Sequence, residues 1–162
     1  MVRTTSASDE VTPPERLATL VKDVVRAIAL PLQDGLKKHG IPYRFWTYLR
    51  ILWEHDGINQ RELSVLANVT DASTHTAILA MERQGLVSRR KLPENRKNIC
   101  IYLTPEGKAC RKKLIALAEE VDAFAVREIS PRNLQITRDT LLAVLRNLEE
   151  RNPKGRRYRV EV

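Results

Sequence analysis

The stretch NQRELSVLANVTDASTHTAILAMERQGLVSRRKLPENRKNICIYLTPEG, residues 59–107, decides the fold. Its first residue, Asn59, can cap a helix, and Glu62 stands three residues later, which is the spacing of a capping box. Leu63 and Leu66 follow at helical spacing. A short helix with one apolar face is therefore predicted to begin here.

A second short helix is predicted after a turn at residues 69–71. Thr70 or Asp71 can start this helix, and Gly85 can end it because glycine tolerates the left-handed backbone conformation at a helix C-terminus. Its apolar stripe consists of Ala77, Ile78 and Met81. Two short helices joined by a tight turn are typical of a helix-turn-helix.

A basic hairpin is predicted next. Val87 and Leu92 lead into a charged segment, residues 93–98. Apolar residues then alternate, as in a returning strand, at Ile99, Ile101 and Leu103. Helices followed by a basic hairpin predict a mainly α fold with a small β-hairpin wing. This is a winged helix-turn-helix, and it indicates DNA binding.

Two helices are predicted before this stretch. Apolar residues recur at three- and four-residue spacing over residues 17–36, which predicts a long amphipathic helix. Pro31 is expected to kink or split this helix, because proline has no amide hydrogen for the i−4 bond. A second helix is predicted over about residues 42–54, where Trp46 and Trp53 lie seven apart and share a face.

Two long helices are predicted after the hairpin. The first begins at Thr104, which provides a hydroxyl cap before Pro105. Its apolar positions, at helical spacing, are Leu114, Leu117, Val121 and Phe124. The last helix begins at Ser130 and ends before Pro153.

The predicted organisation has four parts. They are a mobile N-terminus (1–12), a helical dimerisation region (13–40 and 104–150), a winged helix-turn-helix DNA-binding region (41–103) and a basic C-terminal tail (151–162). The terminal helices carry more apolar surface than one small reader domain requires, so we expect them to pack on a second copy in a homodimer. Packing within one chain is the alternative.

Composition narrows the classes of function. The chain has 162 residues, a net charge of +8 and 43% hydrophobic residues, which fit a globular domain with a polyanionic partner. No run approaches the ~20 apolar residues that span a bilayer, and no secretory signal is visible, so we expect a cytoplasmic protein with no membrane partner. Cys100 and Cys110 lack C-x-x-C spacing, so neither a metal site nor a cofactor is expected.

Candidate base-reading residues lie at the start of the second short helix, because this end enters the major groove in helix-turn-helix proteins. Short hydroxyls there can bond to phosphates or base edges, and His75 can reach N7 or O6 of guanine. The candidates are Ser73, Thr74, His75 and Thr76. A capping role alone is the alternative for Ser73.

Five cations crowd the hairpin. Arg96 and Lys97 at its tip are candidates for the minor groove or the adjacent phosphates, because a narrow groove concentrates negative potential. Arg89, Arg90 and Lys91 are expected to touch phosphates. The alternative for these hairpin cations is a solvated surface. For the basic C-terminal tail, a solvated surface and a DNA contact are equally favoured.

The order of these elements resembles the MarR family of bacterial winged-helix regulators over about residues 15–150. The strongest stretches are WTYLRIL (46–52), NQRELS (59–64), MERQGLV (81–87) and IYLTPEG (101–107). The resemblance implies a triangular homodimer joined by its terminal helices and bound to a pseudo-palindromic operator in double-stranded DNA. It also implies a small effector in the cleft between the dimer region and the reader. A ligand-responsive repressor is therefore the leading hypothesis.

Two features depart from the family pattern. Where the wing usually carries Asp-x-Arg, this chain has Asn95, Arg96 and Lys97, so the cation is kept but the acid that usually holds the wing is not. Thr76 and Ala80 stand where arginine is common. We therefore expect affinity to depend more on the wing and less on arginine–guanine pairs.

Candidate effector-binding residues lie on or before the helix that borders this cleft in the family. They are His39, Tyr43, Arg44, Trp46, Arg50 and Trp53. Aromatic rings with a cation suit an aromatic carboxylate or its coenzyme A thioester, a known ligand class in the family. The alternative is that the tryptophans are simply core.

Two other functions compete with this one. An enzyme on a winged-helix fold is disfavoured because no acid–base, nucleophile or metal-ligand constellation is visible, and His39, His55 and His75 are scattered. A protein-interaction adaptor without sequence-specific DNA binding would not need five cations on the wing. Steep salt dependence of DNA binding would separate a regulator from an adaptor.

Overall fold

The computed structural model describes residues 14–92 and 95–151, and the side chains of residues 17–91 and 99–151. Within these ranges the elements are α1 (Pro14–Lys38), α2 (Tyr43–Glu54), α3 (Gln60–Ala67), α4 (Asp71–Arg83), β1 (Val87–Leu92), β2 (Asn95–Leu103), α5 (Pro105–Ala109), α6 (Arg111–Ala125) and α7 (Pro131–Arg151). The predicted fold class, mainly α-helical with a small antiparallel hairpin, is confirmed. The N-terminus predicted to be mobile (1–12) and residues 152–162 of the basic tail lie outside the described residues.

Local capping sets the ends of the two short helices. The Asn59 side chain accepts a hydrogen bond from the Glu62 amide at 2.9 Å, and the Glu62 carboxylate accepts from the Asn59 amide at 3.4 Å. This is the predicted capping box. Thr70, rather than Asp71, caps α4 through the Ser73 amide.

The hairpin is joined to the segment that precedes α3. In the register of β1 and β2, Val87 lies opposite Leu103. The Gly57 amide donates to the Ile101 carbonyl and the Ile101 amide donates to the Ile58 carbonyl, each at 2.9 Å. The base of the wing is therefore fixed to the start of the helix-turn-helix.

The hydrophobic core is centred on α2, which contacts α1, α3, α4 and β2. Fully buried side chains from six elements meet there: Leu36, Phe45, Leu49, Leu52, Leu63, Ile78, Met81, Ile101 and Leu114. Burying one such side chain stabilises the fold by about 1.5–3 kcal/mol. The core is thus built by the same helices that position α4.

The helix predicted to run continuously from Thr104 is two helices, α5 and α6, separated at Cys110. The Thr104 hydroxyl caps α5 by accepting from the Gly107 amide at 3.1 Å, and it donates to the Gly85 carbonyl at 2.5 Å. Gly107 also lies directly against the Leu86 carbonyl, where any larger residue would collide. Short α5 is therefore held by the start of β1, while α6 packs on α1.

The terminal helices leave large apolar side chains exposed. α1 is not split at Pro31, which lies exposed within one continuous helix. Only the C-terminal part of α1 is buried, and α7 has no buried residue. Phe124, the last apolar position predicted for α6, is 64% exposed, because α6 has passed beyond the core at that point. The exposed residues on α1 and α7 are Leu17, Leu20, Val24, Val25, Leu30, Ile136, Leu141 and Leu148.

Candidate nucleic-acid interface and effector cleft

The first turns of α4 present polar side chains to solvent. Ser73, His75 and Thr76 are exposed, as expected for residues that read DNA. The His75 Nδ1 atom lies 3.1 Å from the Gln60 Oε1 atom, which ties it to α3. The Thr76 hydroxyl donates to the Ala72 carbonyl at 3.0 Å, and the Ser73 hydroxyl accepts from the Thr70 hydroxyl at 2.9 Å.

Thr74 is a different case. It is fully buried, and its Oγ1 atom lies 3.3 Å from the hydroxyl oxygen of Tyr48 on α2. The Thr74 side chain therefore has no exposed surface that could touch DNA, and the structure gives no support to the predicted contact of Thr74 with DNA. The residue lies on the side of α4 that faces the core, next to Ala77 and Ile78, which are also buried.

Arg89 on β1 is engaged within the protein. Its Nε atom donates to the Glu82 carboxylate at 2.8 Å, and its backbone amide donates to the other oxygen of that carboxylate at 3.2 Å. The Arg89 side chain is 27% exposed. This pairing holds the wing strand to α4, and the expected contact of Arg89 with phosphates stays a prediction.

The next two cations of the wing are exposed. The Arg90 guanidinium lies 5.1 Å from the centre of the Tyr102 ring, which braces it on the sheet. Lys91 follows on the opposite face of the strand. The backbone of Arg96 and Lys97 forms part of β2, and the side chains of both residues lie outside the described part of the chain.

A cavity of about 450 Å³ opens between α1, α2 and α6. Tyr43, Trp46 and Arg50 line it from α2, so the structure brings together three of the six residues predicted from the sequence. The Arg50 guanidinium lies 5.9 Å from the centre of the Trp46 ring. A second cavity of about 390 Å³ shares Arg50 and Ile115 with the first, so Arg50 lies where the two spaces adjoin.

The other predicted residues have different places. Trp53 lines the second cavity, but it is nearly buried, packs edge-on against Trp46 at 5.9 Å, and donates from Nε1 to the Gly107 carbonyl at 2.8 Å. It is chiefly a core residue that joins α2 to α5. Arg44 lies over the Phe45 ring at 4.9 Å and lines a separate depression, and His39 lines neither cavity of the cleft.

The sequence did not identify the remaining walls of the cleft. Glu119 and Asp122 line it from α6, and α1 contributes Val25, Ile28, Ala29 and Leu32. The α1 residues form an apolar stripe that predicts packing as readily as a cavity wall. No sequence signal identified Glu119 and Asp122 as cavity residues, because acidic residues are equally common on a solvated helix face.

The cysteines do not form a reactive site. Cys100 is buried on β2, and burial raises the pKa of the Cys110 thiol above its ordinary value, although a backbone hydrogen bond opposes this shift. Within the described ranges no cluster of histidine, cysteine and acidic residues could hold a metal ion. No helix in this part of the chain has the length and apolar character needed to cross a bilayer.

Comparisons with known proteins agree with this geometry. The model of the MarR family matches residues 42–99. The chain is 30% identical to the homoprotocatechuate degradative operon repressor of Escherichia coli over 115 residues, which is 71% of this chain and 73% of that protein.

Solved structures share the fold. A MarR-family regulator from Listeria monocytogenes complexed with a 26mer DNA has a TM-score of 0.72 at 21% identity, covering 93% of this chain and 100% of that one. CouR from Rhodococcus jostii bound to p-coumaroyl-CoA has a TM-score of 0.68 at 21% identity, covering 86% and 95%.

The chain belongs to the MarR family. It is a DNA-binding transcriptional regulator, and the family is one of regulators rather than of enzymes. Thr76 and Ala80, which stand where arginine is common in the family, both lie on α4. Thr76 is exposed and Ala80 is half-buried. The ion pair of Arg89 with Glu82 holds this wing to α4, although Asn95 replaces the usual acid of the wing.

Proposed function

We propose that this MarR-family chain is a repressor that binds a pseudo-palindromic operator as a homodimer and releases it when an aromatic effector occupies the cleft. The observation that carries the proposal is the juxtaposition of two surfaces. The exposed face of α4 presents Ser73, His75 and Thr76, and the wing beside it presents Arg90 and Lys91. Polar groups suit base edges and cations suit phosphates.

The exposed apolar side chains of α1 and α7 support the homodimer. A soluble monomer rarely exposes so many large apolar residues on its longest helices. A two-fold axis through these helices would present two copies of α4 to successive major grooves. The half-sites would then be centred about one helical turn apart, which is about 10 base pairs.

Selection of bound DNA from a random pool by the full-length chain tests this role. We expect an enriched inverted repeat and a steep dependence of affinity on salt. If Arg90, Lys91, Arg96 and Lys97 of both protomers each neutralise one phosphate, eight contacts give a slope of about −7 in log K against log salt.

Arg90→Ala should reduce that slope by about two for the dimer, because each lost phosphate contact contributes about 0.9. Lys113→Ala on α6 is the matched control, since it removes an exposed cation outside the winged unit. Enrichment of no sequence, together with weak salt dependence, would favour the adaptor and reject the proposal.

The chemistry of the cleft indicates a class of effector. Arg50 can bind a carboxylate or a phosphate, and the rings of Trp46 and Tyr43 can pack against an aromatic group. Glu119 and Asp122 stand on the α6 wall, where they accept hydrogen bonds and disfavour a second negative group. A hydroxyaromatic acid satisfies both walls because its carboxylate pairs with Arg50 and its phenol donates to the acids. Its coenzyme A thioester has no free carboxylate, so there Arg50 would pair with a phosphate and the remaining phosphates would have to lie away from the α6 wall.

Calorimetry with hydroxybenzoates, hydroxycinnamates and their thioesters tests the effector. Arg50→Met keeps the aliphatic stem and should weaken binding, whereas Arg44→Met on the same helix should not, because Arg44 lines a separate depression. An effector must lower operator affinity by the same factor by which the operator lowers effector affinity. If no compound binds, or if binding leaves operator affinity unchanged, the effector assignment is rejected while DNA binding stands.

A further inference from the structure

The interior between α2 and α4 contains a buried polar pair. Thr74 is fully buried and Tyr48 is 4% exposed, and their hydroxyl oxygens lie 3.3 Å apart. Valine at position 74 and phenylalanine at position 48 would fill the same space without desolvating two hydroxyls. A polar pair in such a place adds a directional contact that apolar packing lacks.

This contact adds a directional constraint to the rotation of α4 about its own axis, which the buried side chains of Ala77, Ile78 and Met81 otherwise set by apolar packing. Thr74 precedes His75 and Thr76 in the same turn, so its direction determines theirs at about 100° per residue. Side chains extend to a radius of about 6 Å from a helix axis, so a rotation of about 20° moves their ends by about 2 Å. Such a displacement exceeds the tolerance of a hydrogen bond to a base edge.

Apart from the Thr70 cap, two polar side-chain contacts reach the first two turns of α4 from α3. The Ser64 hydroxyl donates to the Asp71 carboxylate, and Gln60 contacts His75. Tyr48 reaches the same turns from α2. Contacts from two helices on different sides define a rotation that contacts from α3 alone would leave free to vary.

We propose that Tyr48 is a positioning residue, which holds α4 through Thr74 in the rotation that base reading requires. The proposal rests on the proposed role of α4 as the DNA-reading helix. It assigns the pair to sequence discrimination rather than to contact with DNA. It also gives Thr74 a part in recognition without exposure to the groove.

The test compares affinity for the operator selected by the unaltered chain with affinity for an unrelated duplex of equal length at the same salt concentration. Tyr48→Phe and Thr74→Val should each lower this ratio about ten-fold, the effect of losing one base contact. Affinity for the unrelated duplex should change less than about two-fold, because the wing cations are retained.

Three further variants make the result specific. Thr74→Ser keeps the hydroxyl and should restore most of the discrimination. The double variant Tyr48→Phe with Thr74→Val should be no worse than either single variant, because both remove one shared contact. Leu36→Val trims a fully buried side chain on α1, a helix that carries neither member of the pair, so it should lower thermal stability and keep the ratio.

Each outcome has a distinct meaning. If the unaltered chain selects no sequence, the proposed function fails. If it discriminates and Tyr48→Phe discriminates equally well, the positioning role is wrong, even when Thr74→Val loses selectivity. In a third outcome, Tyr48→Phe or Thr74→Val loses affinity for both duplexes by the same factor, with a fall in melting temperature equal to that of Leu36→Val. That result shows a role in stability alone and overturns the proposal.

Discussion

Replacing either partner of the Arg89–Glu82 ion pair distinguishes a wing clamp from a phosphate contact. Glu82 on α4 accepts from both the side chain and the backbone amide of Arg89. Arg89→Ala removes only the side-chain bond, because the amide of residue 89 can still donate. Glu82→Ala removes both bonds and leaves that amide without its partner.

The two variants should therefore differ in stability. The pair is partly exposed, with side-chain exposures of 27% and 33%, so solvent screens it and Arg89→Ala should lower the free energy of unfolding by at most about 1 kcal/mol. Glu82→Ala also leaves a part-buried amide unpaired, which costs about 1–3 kcal/mol. For a chain of this size, a loss of 1 kcal/mol lowers the melting temperature by about 2–4 °C.

Thermal unfolding and salt titration of DNA binding check this together. If Arg89 clamps the wing, Arg89→Ala should leave the salt slope unchanged. A decrease of about two in the slope of the dimer, equal to that expected for Arg90→Ala, would show that Arg89 neutralises phosphates and would refute the clamp. Equal melting temperatures for Arg89→Ala and Glu82→Ala would show that the bond to the backbone amide contributes nothing.

Three other changes have defined outcomes. Removing residues 134–162 should leave insoluble or unfolded protein, because the apolar face of α1 would lose its partner; a stable, soluble monomer in size-exclusion chromatography would contradict the dimer. Trp53→Phe deletes the donor to the Gly107 carbonyl and should lower the free energy of unfolding in urea by about 2 kcal/mol or more; an unchanged midpoint would disprove its core role. Because burial raises the pKa of the Cys110 thiol, its alkylation by iodoacetamide near neutral pH should be slower than that of free cysteine and should accelerate as pH rises; fast labelling at neutral pH would exclude this environment.

The short helices and the wing could be predicted because their signals are local. A capping box at Asn59, a hydroxyl cap at Thr70 and a glycine after α4 act over three or four residues, and each acts as expected. The break at Cys110 could not be predicted in this way. It depends on how Gly107 and Thr104 pack against the end of α4 and the start of β1, which are distant in sequence.

The candidate DNA-reading residues could be predicted as a segment but not individually. Four consecutive polar residues, 73–76, must point to different sides of a helix, so at least one of them has to face the core. Thr74 is that residue. It precedes Ala77, Ile78 and Met81 by three, four and seven residues, so helical spacing places it on their apolar stripe, which Thr76 does not share. Arg89 and Arg90 present the same difficulty on a strand, where alternate side chains point to opposite faces.

The effector cleft was the least predictable part, because α2 is apolar on two sides. Phe45, Leu49 and Leu52 face the core on one side, and Trp46 with Arg50 faces the cavity on another. A helix without a wide polar stripe gives no sequence signal for which side is solvent-accessible. Substituting Trp46 would disturb core packing and cavity shape together. Arg50 is exposed and lines both cavities, so substituting it tests the proposed effector binding without a change in the core.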